Sequence, residues 1–289
     1  MSSTFLSECK TKVFKKIDSL LIAQDQVTLS MRYSALADSK CIRAGLVFAS
    51  GQLTEHNSDL GLLDMATSIE LMHTYSLIHD DLPAMDDDEM RRGKASNHIA
   101  FNEATSILAG DALQALAFEV IASSKYIQAD QKIEIIKAMS SACGHQGMVL
   151  GQQYDLEAEQ KKFHDIEKIH TLKTAKLIQV AITMPHLTEK QNSVPHSLLS
   201  ELGQKLGLAF QIMDDVLEAS SDSKTLGKSN ASDLENSKLT YVSVFGVTES
   251  EKRAAELSAW CAEKINSTFN ESQAKYLIDL AHYMVARSH

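Results

Sequence analysis

Helix breakers are scarce in this chain. Three prolines and twelve glycines interrupt 289 residues, and aromatic side chains amount to only 6%. The long stretches between them are rich in Ala, Leu, Glu, Lys and Met, the strong helix formers, so an all-α fold is expected. Cysteine is scarce too: Cys9, Cys41, Cys143 and Cys261 are widely scattered with no CxxC spacing. Nor has the N-terminus the basic-then-apolar shape of a signal peptide, and a reducing cytoplasm is the expected compartment. Positive charge is in deficit, with 28 Lys and Arg against 38 Asp and Glu and a formal net charge of −10. That field repels nucleic acid and anionic membranes, so a phosphate-bearing ligand would need local help. No apolar run approaches the roughly 18 residues of a membrane span, and no stable membrane insertion is expected. Repeats, low-complexity segments and clear linkers are missing as well. The one polar dip is around Thr188 to Pro195, and a single domain over residues 1–289 is expected, with 44% hydrophobic residues to fill its core.

What the chain does have is a concentration of charge. Residues 80–93 read DDLPAMDDDEMRRG, six acids and two arginines around one proline. The segment Leu62 to Asp81 carries apolar residues at helical spacing, with Ile69, Met72 and Ser76 leading to Asp80, and Pro83 should stop it near Leu82. Carboxylates at a helix C-terminus meet the negative end of the macrodipole, so a compensating cation is expected. On an unbroken helix Asp80 and Asp86 would point about 240° apart. A chain that leaves the helix at Leu82 and curls back brings Asp86 to the side of Asp80, where carboxylates suit a hard ion such as magnesium. Standing alone, an acid run reads more simply as a solvated loop.

Further helices are expected at Asn97 to Ser124, Gln131 to Glu157, His164 to Met184, Ser197 to Ala219, Glu249 to Asn266 and Ser272 to Arg287. In the first of these Asp111 falls in the row Ala104, Leu108, Asp111, Ala115, Phe118, and reads more simply as a hydrogen-bonded core acid than as a functional group. A second acidic group changes the weighing. Gln211, Asp214, Asp215 and Glu218 follow helical i, i+3, i+4, i+7 spacing and line one face of a strongly apolar helix, where an unpaired charge is expensive. Two acid groups facing a shared cavity can hold several magnesium ions, and those ions can hold a diphosphate. Arg91 and Arg92 can grip phosphate oxygens through planar forks. Lys173, in the apolar row Ile166, Ile169, Lys173, Leu177, Val180, needs an anionic partner. Lys40, Arg43, Lys228 and Lys238 are further candidates, though each alone reads as a solvated surface charge.

Together these residues resemble the short-chain trans-prenyltransferases, the isoprenyl diphosphate synthases, and among them the bacterial farnesyl diphosphate synthases. The resemblance spans almost the whole chain: SLIHDDLPAMDDD with RRG is similar to the first aspartate-rich motif in its bacterial form, and ILAGDAL, QIMDDVLE, LGK at Leu226 to Lys228, and Lys238 match further elements. It implies a helical bundle of the isoprenoid synthase type around a central active-site cavity, and a homodimer. It also implies that Asp80 and Asp86, with Asp81 nearby, hold two magnesium ions, and Asp214, with Asp215 and Glu218, a third. Arg91, Lys173, Lys228 and Lys238 would grip the allylic diphosphate, dimethylallyl or geranyl. Lys40, Arg43, His73 and Arg92 would bind isopentenyl diphosphate, and Thr174 and Gln211 would contact the allylic substrate near the developing cation. His73 alone would be read as a core histidine, but it lies seven residues before Asp80 on the same helix face.

The implied reaction ionises the allylic diphosphate in a dry cavity, lets the double bond of isopentenyl diphosphate attack, and loses a proton to the departed diphosphate, giving a fifteen-carbon product with no protein nucleophile. The family's chain-length stop, five residues before the first acid, falls on Tyr75, whereas a helical wheel puts Ser76 beneath Asp80. Five positions depart from the family. Asp38-Ser39 replaces Gly-Gly before Lys40 and Ala44 replaces the proline after Arg43, Glu218 stands where aspartate is usual, and Ser237 precedes Lys238. A C20 synthase, a non-catalytic partner subunit and a terpene cyclase remain as other readings; a cyclase would make Lys40, Arg43, His73 and Arg92 superfluous.

Overall fold

The computed structural model describes residues 2–54, 58–188, 195–226 and 239–286, with the backbone alone at 2, 188 and 221–226. Lys228, Lys238 and most of the polar dip after Thr188 lie outside the described residues. Among the described residues the regular structure is helical apart from one hairpin of two-residue strands, in agreement with the composition. The chain divides into two compact units, the first holding the chain up to Ile136 and the second beginning at Lys137.

The first unit contains α1 (Ser2–Leu20), α2 (Gln26–Ala35), α3 (Ile42–Gly51), α4 (Asp59–Asp80), the hairpin β1 (Met90–Arg91) and β2 (Lys94–Ala95), α5 (Asn97–Ala100), α6 (Glu103–Ser123) and the start of α7 (Ala129–Cys143). Its centre is α4, which is buried along most of Gly61 to Tyr75 and packs on α1, α2, α3 and α6. A helix enclosed in this way must pair its polar groups. Lys16 meets Asp64 at 3.0 Å, and the Ser68 hydroxyl donates to the Ala117 carbonyl at 2.6 Å. Asn97 joins α2, α5 and α6. Its Oδ1 accepts from Ser30 and Ser106, while its Nδ2 donates to the Ser30 carbonyl and to Ser34.

The second unit continues with α8 (Met148–Glu159), α9 (Ile166–His170), a π-helical turn at Thr171–Ala175, α10 (Lys176–Thr183), α11 (His196–Leu226), α12 (Tyr241–Phe245), α13 (Val247–Thr268) and α14 (Glu271–Val285). Ile166, Ile169, Ala209, Ile212, Val216, Tyr241 and Leu257 build a core around α11.

Three expected helices are subdivided. Gln131 to Glu157 breaks at the turn Gly144–Gly147, where the Gly147 amide donates to the Gly144 carbonyl. Asn97 to Ser124 breaks at Phe101, because Asn102 caps α6 by accepting from the Thr105 amide at 2.9 Å. The third, His164 to Met184, contains the π-helical turn. Asp111 is not a core acid: its side chain is 65% exposed, 3.9 Å from His79. The buried face of α6 instead includes Ser106, Ala109, Gly110 and Ala117, small residues that let α4 approach, together with Leu113, Val120 and Ile121, while Ile107 and Leu108 face outward.

All four cysteines are buried free thiols, and burial pushes each up to about 12. The folded protein should therefore show almost no thiol reaction with an aromatic disulfide reagent at pH 8, against four equivalents after denaturation. A fast-reacting thiol in the folded protein would contradict this packing.

Candidate functional site

In the first unit α4 ends at Asp80 and the chain turns back over Pro83. The amides of Met85 and Asp87 donate to the Leu82 carbonyl, and the amide of Asp86 donates to the Asp80 carbonyl at 2.9 Å. Asp86 is thus returned to the end of the helix that carries Asp80, as the proline suggested. The expected compensating cation is Arg91. Its Nε and Nη2 both donate to Oδ1 of the buried Asp81, and Nη2 donates to Asp88 at 2.7 Å. Burial pushes the Asp81 carboxyl above its usual range, against the pull of Arg91. Asp81 is therefore committed to Arg91, whereas Asp80 and Asp86 are half-buried at the loop surface.

Behind this loop the Arg43 Nη1 donates to His73 Nε2 at 3.1 Å. Burial and the neighbouring Arg43, Arg92 and Arg91 hold the His73 imidazole well below its usual pKa, so it stays neutral. Lys40 is exposed one residue before Cys41, the N-cap of α3. Tyr75 is buried, with its ring edge-on to His79 at 5.8 Å, while Ser76 is half-buried and donates to the His73 carbonyl. Four non-glycine residues have positive φ among those described, and three are here: Cys41 (46°), Asp87 (53°) and Arg92 (54°). Side chains in this region strain the backbone, a feature that gathers at functional sites. Asp38, the acid in place of a family glycine, is paired with Lys10 of α1, so it does not present a bare charge to Lys40.

In the second unit, residues 155, 170, 173, 174, 211, 215 and 218 line a cavity of about 90 Å³. Lys173 and Thr174 sit in the π-helical turn, which is gripped on two sides by helices that lack a side chain at the contact. A Cβ on Gly151 of α8 would lie 2.2 Å from the Lys173 nitrogen, and one on Gly207 of α11 2.4 Å from the Ala175 Cα. Gly207→Val should therefore push the turn aside, lowering stability by about 1–3 kcal/mol and turnover with it. A thermal melt and a kcat measurement check this, and a variant unchanged in both would show that the turn tolerates displacement.

Lys173 has the anionic partner its apolar row required: Nζ donates to Asp155 Oδ2 at 2.6 Å. Thr174 Oγ1 donates to Gln211 Oε1 at 2.7 Å, and Gln211 Nε2 donates to Asp215 Oδ1 at 3.1 Å. The other Asp215 oxygen accepts from the Tyr241 amide at 2.6 Å and lies 3.2 Å from His170 Nε2. Burial raises Asp215 to about 6 and lowers His170 to about 4. At neutral pH the imidazole is therefore uncharged and donates from Nε2, which leaves its buried Nδ1 without a partner. Asp215 is fully engaged by protein groups, while Asp214 and Glu218 are half-buried and exposed on the same helix.

Sequence reasoning missed Asp155 and His170. Asp155 carried no motif signal of its own. His170 stands three residues before Lys173 and shows its role only once the π turn brings it to Asp215.

Among the described residues no group of three or more acidic, His or Cys side chains is gathered to cage a metal ion. Magnesium takes one or two protein carboxylates and completes its shell with water and phosphate oxygens. Asp80 with Asp86, and Asp214 with Glu218, offer donor sets of that kind.

The polyprenyl synthetase family profile matches residues 24–280. The chain is 41% identical over 236 residues to a farnesyl diphosphate synthase of Haemophilus influenzae, covering 79% of this chain and 78% of that protein. It is also 41% identical over 263 residues to a geranylgeranyl diphosphate synthase of Cyanophora paradoxa, covering 90% and 87%. A solved structure described as an FPP/GFPP synthase from Zymomonas mobilis superposes with a TM-score of 0.87 at 32% identity, covering 98% of each chain.

Proposed function

The chain belongs to the polyprenyl synthetase family, and from that premise we propose that it is a farnesyl diphosphate synthase, joining isopentenyl diphosphate to dimethylallyl or geranyl diphosphate. The observation that carries this reading is the returned loop, in which the Asp86 amide binds the Asp80 carbonyl and Arg91 neutralises the buried Asp81 between them. It brings two carboxylates to one helix end, near a cationic pair, in a protein of net negative charge.

The family depends on a divalent metal. Three magnesium ions are the proposed complement, with Asp80 and Asp86 for two and Asp214, aided by Glu218, for the third. When bound, they would neutralise the charge that grows on the departing diphosphate. In this proposal Asp81 and Asp215 position rather than coordinate, Asp81 by fixing Arg91 and Asp215 by fixing Gln211 and α12. Lys173 and Arg91 grip the allylic diphosphate, which requires each to exchange an acid partner, Asp155 or Asp81 with Asp88, for phosphate oxygens. Thr174 and Gln211 present oxygens toward the cationic allyl fragment. Lys40, Arg43, His73 and Arg92 hold isopentenyl diphosphate, with neutral His73 keeping the Arg43 fork oriented. Lys228 and Lys238 are assigned to the allylic diphosphate on the resemblance alone. The two compact units act as one catalytic domain in this reading, as the unbroken family match supports.

We place the enzyme in the cytoplasm as a homodimer. The outward row of α6, with Ile107 and Leu108 exposed, is the proposed dimer face. This helix is also long and apolar enough to cross a membrane, but Asp111 and Glu119 interrupt it and its inner face packs on α4.

A geranylgeranyl synthase is the second reading, favoured by the Cyanophora relative at equal identity. The test is incubation with labelled isopentenyl diphosphate and either allylic diphosphate, with magnesium or with chelator, followed by product sizing. A magnesium-dependent C15 product supports the proposal and a C20 product the second reading. No product from folded, diphosphate-binding protein would mean a non-catalytic subunit.

A further inference from the structure

Glu70 is a buried carboxylate that the reaction outlined above leaves without a role. It lies on α4 three residues before His73, is 5% exposed, and its Oε1 accepts from the Ala44 amide at 2.9 Å. Ala44 is in the first turn of α3, where backbone amides have no partner within the helix. The N-cap residue of that helix, Cys41, is in the left-handed region and supplies no side-chain acceptor. Glu70 thus does from a neighbouring helix what a capping side chain does from its own. The next residue back, Arg43, is held by His73, so two side chains one turn apart on α4 clasp two consecutive residues of α3. The pattern this chain resembles has proline at position 44, which has no N–H to give. Alanine there creates the donor, and the buried carboxylate uses it.

We infer that Glu70 is a positioning residue for isopentenyl diphosphate: by capping Ala44 it fixes the first turn of α3, and with it Arg43 and the adjoining Lys40, in the geometry that receives the second diphosphate. This rests on the reading of Lys40, Arg43, His73 and Arg92 as that subsite. Burial raises the Glu70 carboxyl, opposed by the Ala44 amide and by the charges of Arg43 and Arg92.

The test compares Glu70→Ala, Glu70→Gln and Ala44→Pro. Glu70→Ala should raise KM for isopentenyl diphosphate about tenfold or more, with kcat and the allylic KM within about threefold of wild type. Glu70→Gln, which keeps an acceptor oxygen, should recover most of the loss. Ala44→Pro removes the donor at a first-turn position, where proline is tolerated, so it should raise the same KM alone and add little to Glu70→Ala. An equal rise in both KM values, an unchanged KM with only a lower melting temperature, or additive effects of the two substitutions would overturn the inference. Hydrogen exchange at Ala44 separates this from failure of the functional reading. Exchange as slow in Glu70→Ala as in wild type overturns the cap whatever the enzyme turns over, whereas an inactive wild type with a Glu70-dependent slow amide overturns only the assignment of the substrate.

Discussion

Asp80→Asn is expected to lower kcat by about 10³, close to 4 kcal/mol of transition-state stabilisation, without unfolding the protein. The substitution keeps the shape of the side chain and removes its charge at the last residue of α4. The helix dipole already opposes a carboxylate there, so losing it should not weaken the helix and relieves a local repulsion. On the proposed function, what is lost is a hard, charged oxygen donor for magnesium beside the departing diphosphate, and a neutral amide is a poorer magnesium ligand than a carboxylate. The neighbouring Asp81→Asn should behave differently. That side chain is buried and shares two donors of Arg91, so its loss leaves a half-buried guanidinium short of a partner and lowers the melting temperature as well as turnover. Circular dichroism, kcat and a magnesium titration on both variants separate the cases. An Asp80→Asn enzyme within about threefold of wild-type kcat would remove Asp80 from the metal set.

Tyr75→Ala is expected to shift the product from C15 to C20 and longer. The ring is buried on α4, edge-on to His79, five residues before Asp80. Truncation leaves a cavity at a cost in stability of about 3–5 kcal/mol, part of which a longer isoprenoid tail filling the space would return. Tyr75→Phe retains the ring and should retain the product length. Chromatographic sizing of the labelled products decides, and an unchanged distribution in Tyr75→Ala would show that the floor is elsewhere.

The all-α class was legible because it needs only composition. The end of α4 was legible because Pro83 dictates it within two residues. The curl of Asp86 followed from the same proline, while the cation for the acids at that helix end and the acid for Lys173 followed from electrostatic need, although only Arg91 could be guessed by proximity. Periodicity failed on α6, where it took the Leu108–Asp111 row for the core side. Small residues at Ser106, Ala109 and Gly110 won the contact with α4 because close backbone approach outweighs side-chain size. The π turn at Lys173 was hidden because the residue types of Thr171–Ala175 carry no mark that distinguishes i→i+5 bonding from an ordinary helical turn. Asp215 looked like the twin of Asp214, and only the fold shows that one faces inward to Gln211, His170 and Tyr241. Glu70 was invisible because its partner is a backbone amide, which sequence patterns do not distinguish.

The left-handed residues Cys41, Asp87 and Arg92 bear on how this protein can be engineered and how it can drift. Glycine at any of the three would relieve roughly 1–2 kcal/mol of backbone strain, so a screen that rewards heat resistance alone would favour it. Each such gain would free a loop that aims a charged side chain, and would remove the side chain itself at Asp87 and Arg92. Valine, isoleucine and threonine are closed to all three positions by sterics. Robustness and catalytic alignment therefore pull in opposite directions at these points, and a durable variant is better sought on the outer faces of α13 and α14.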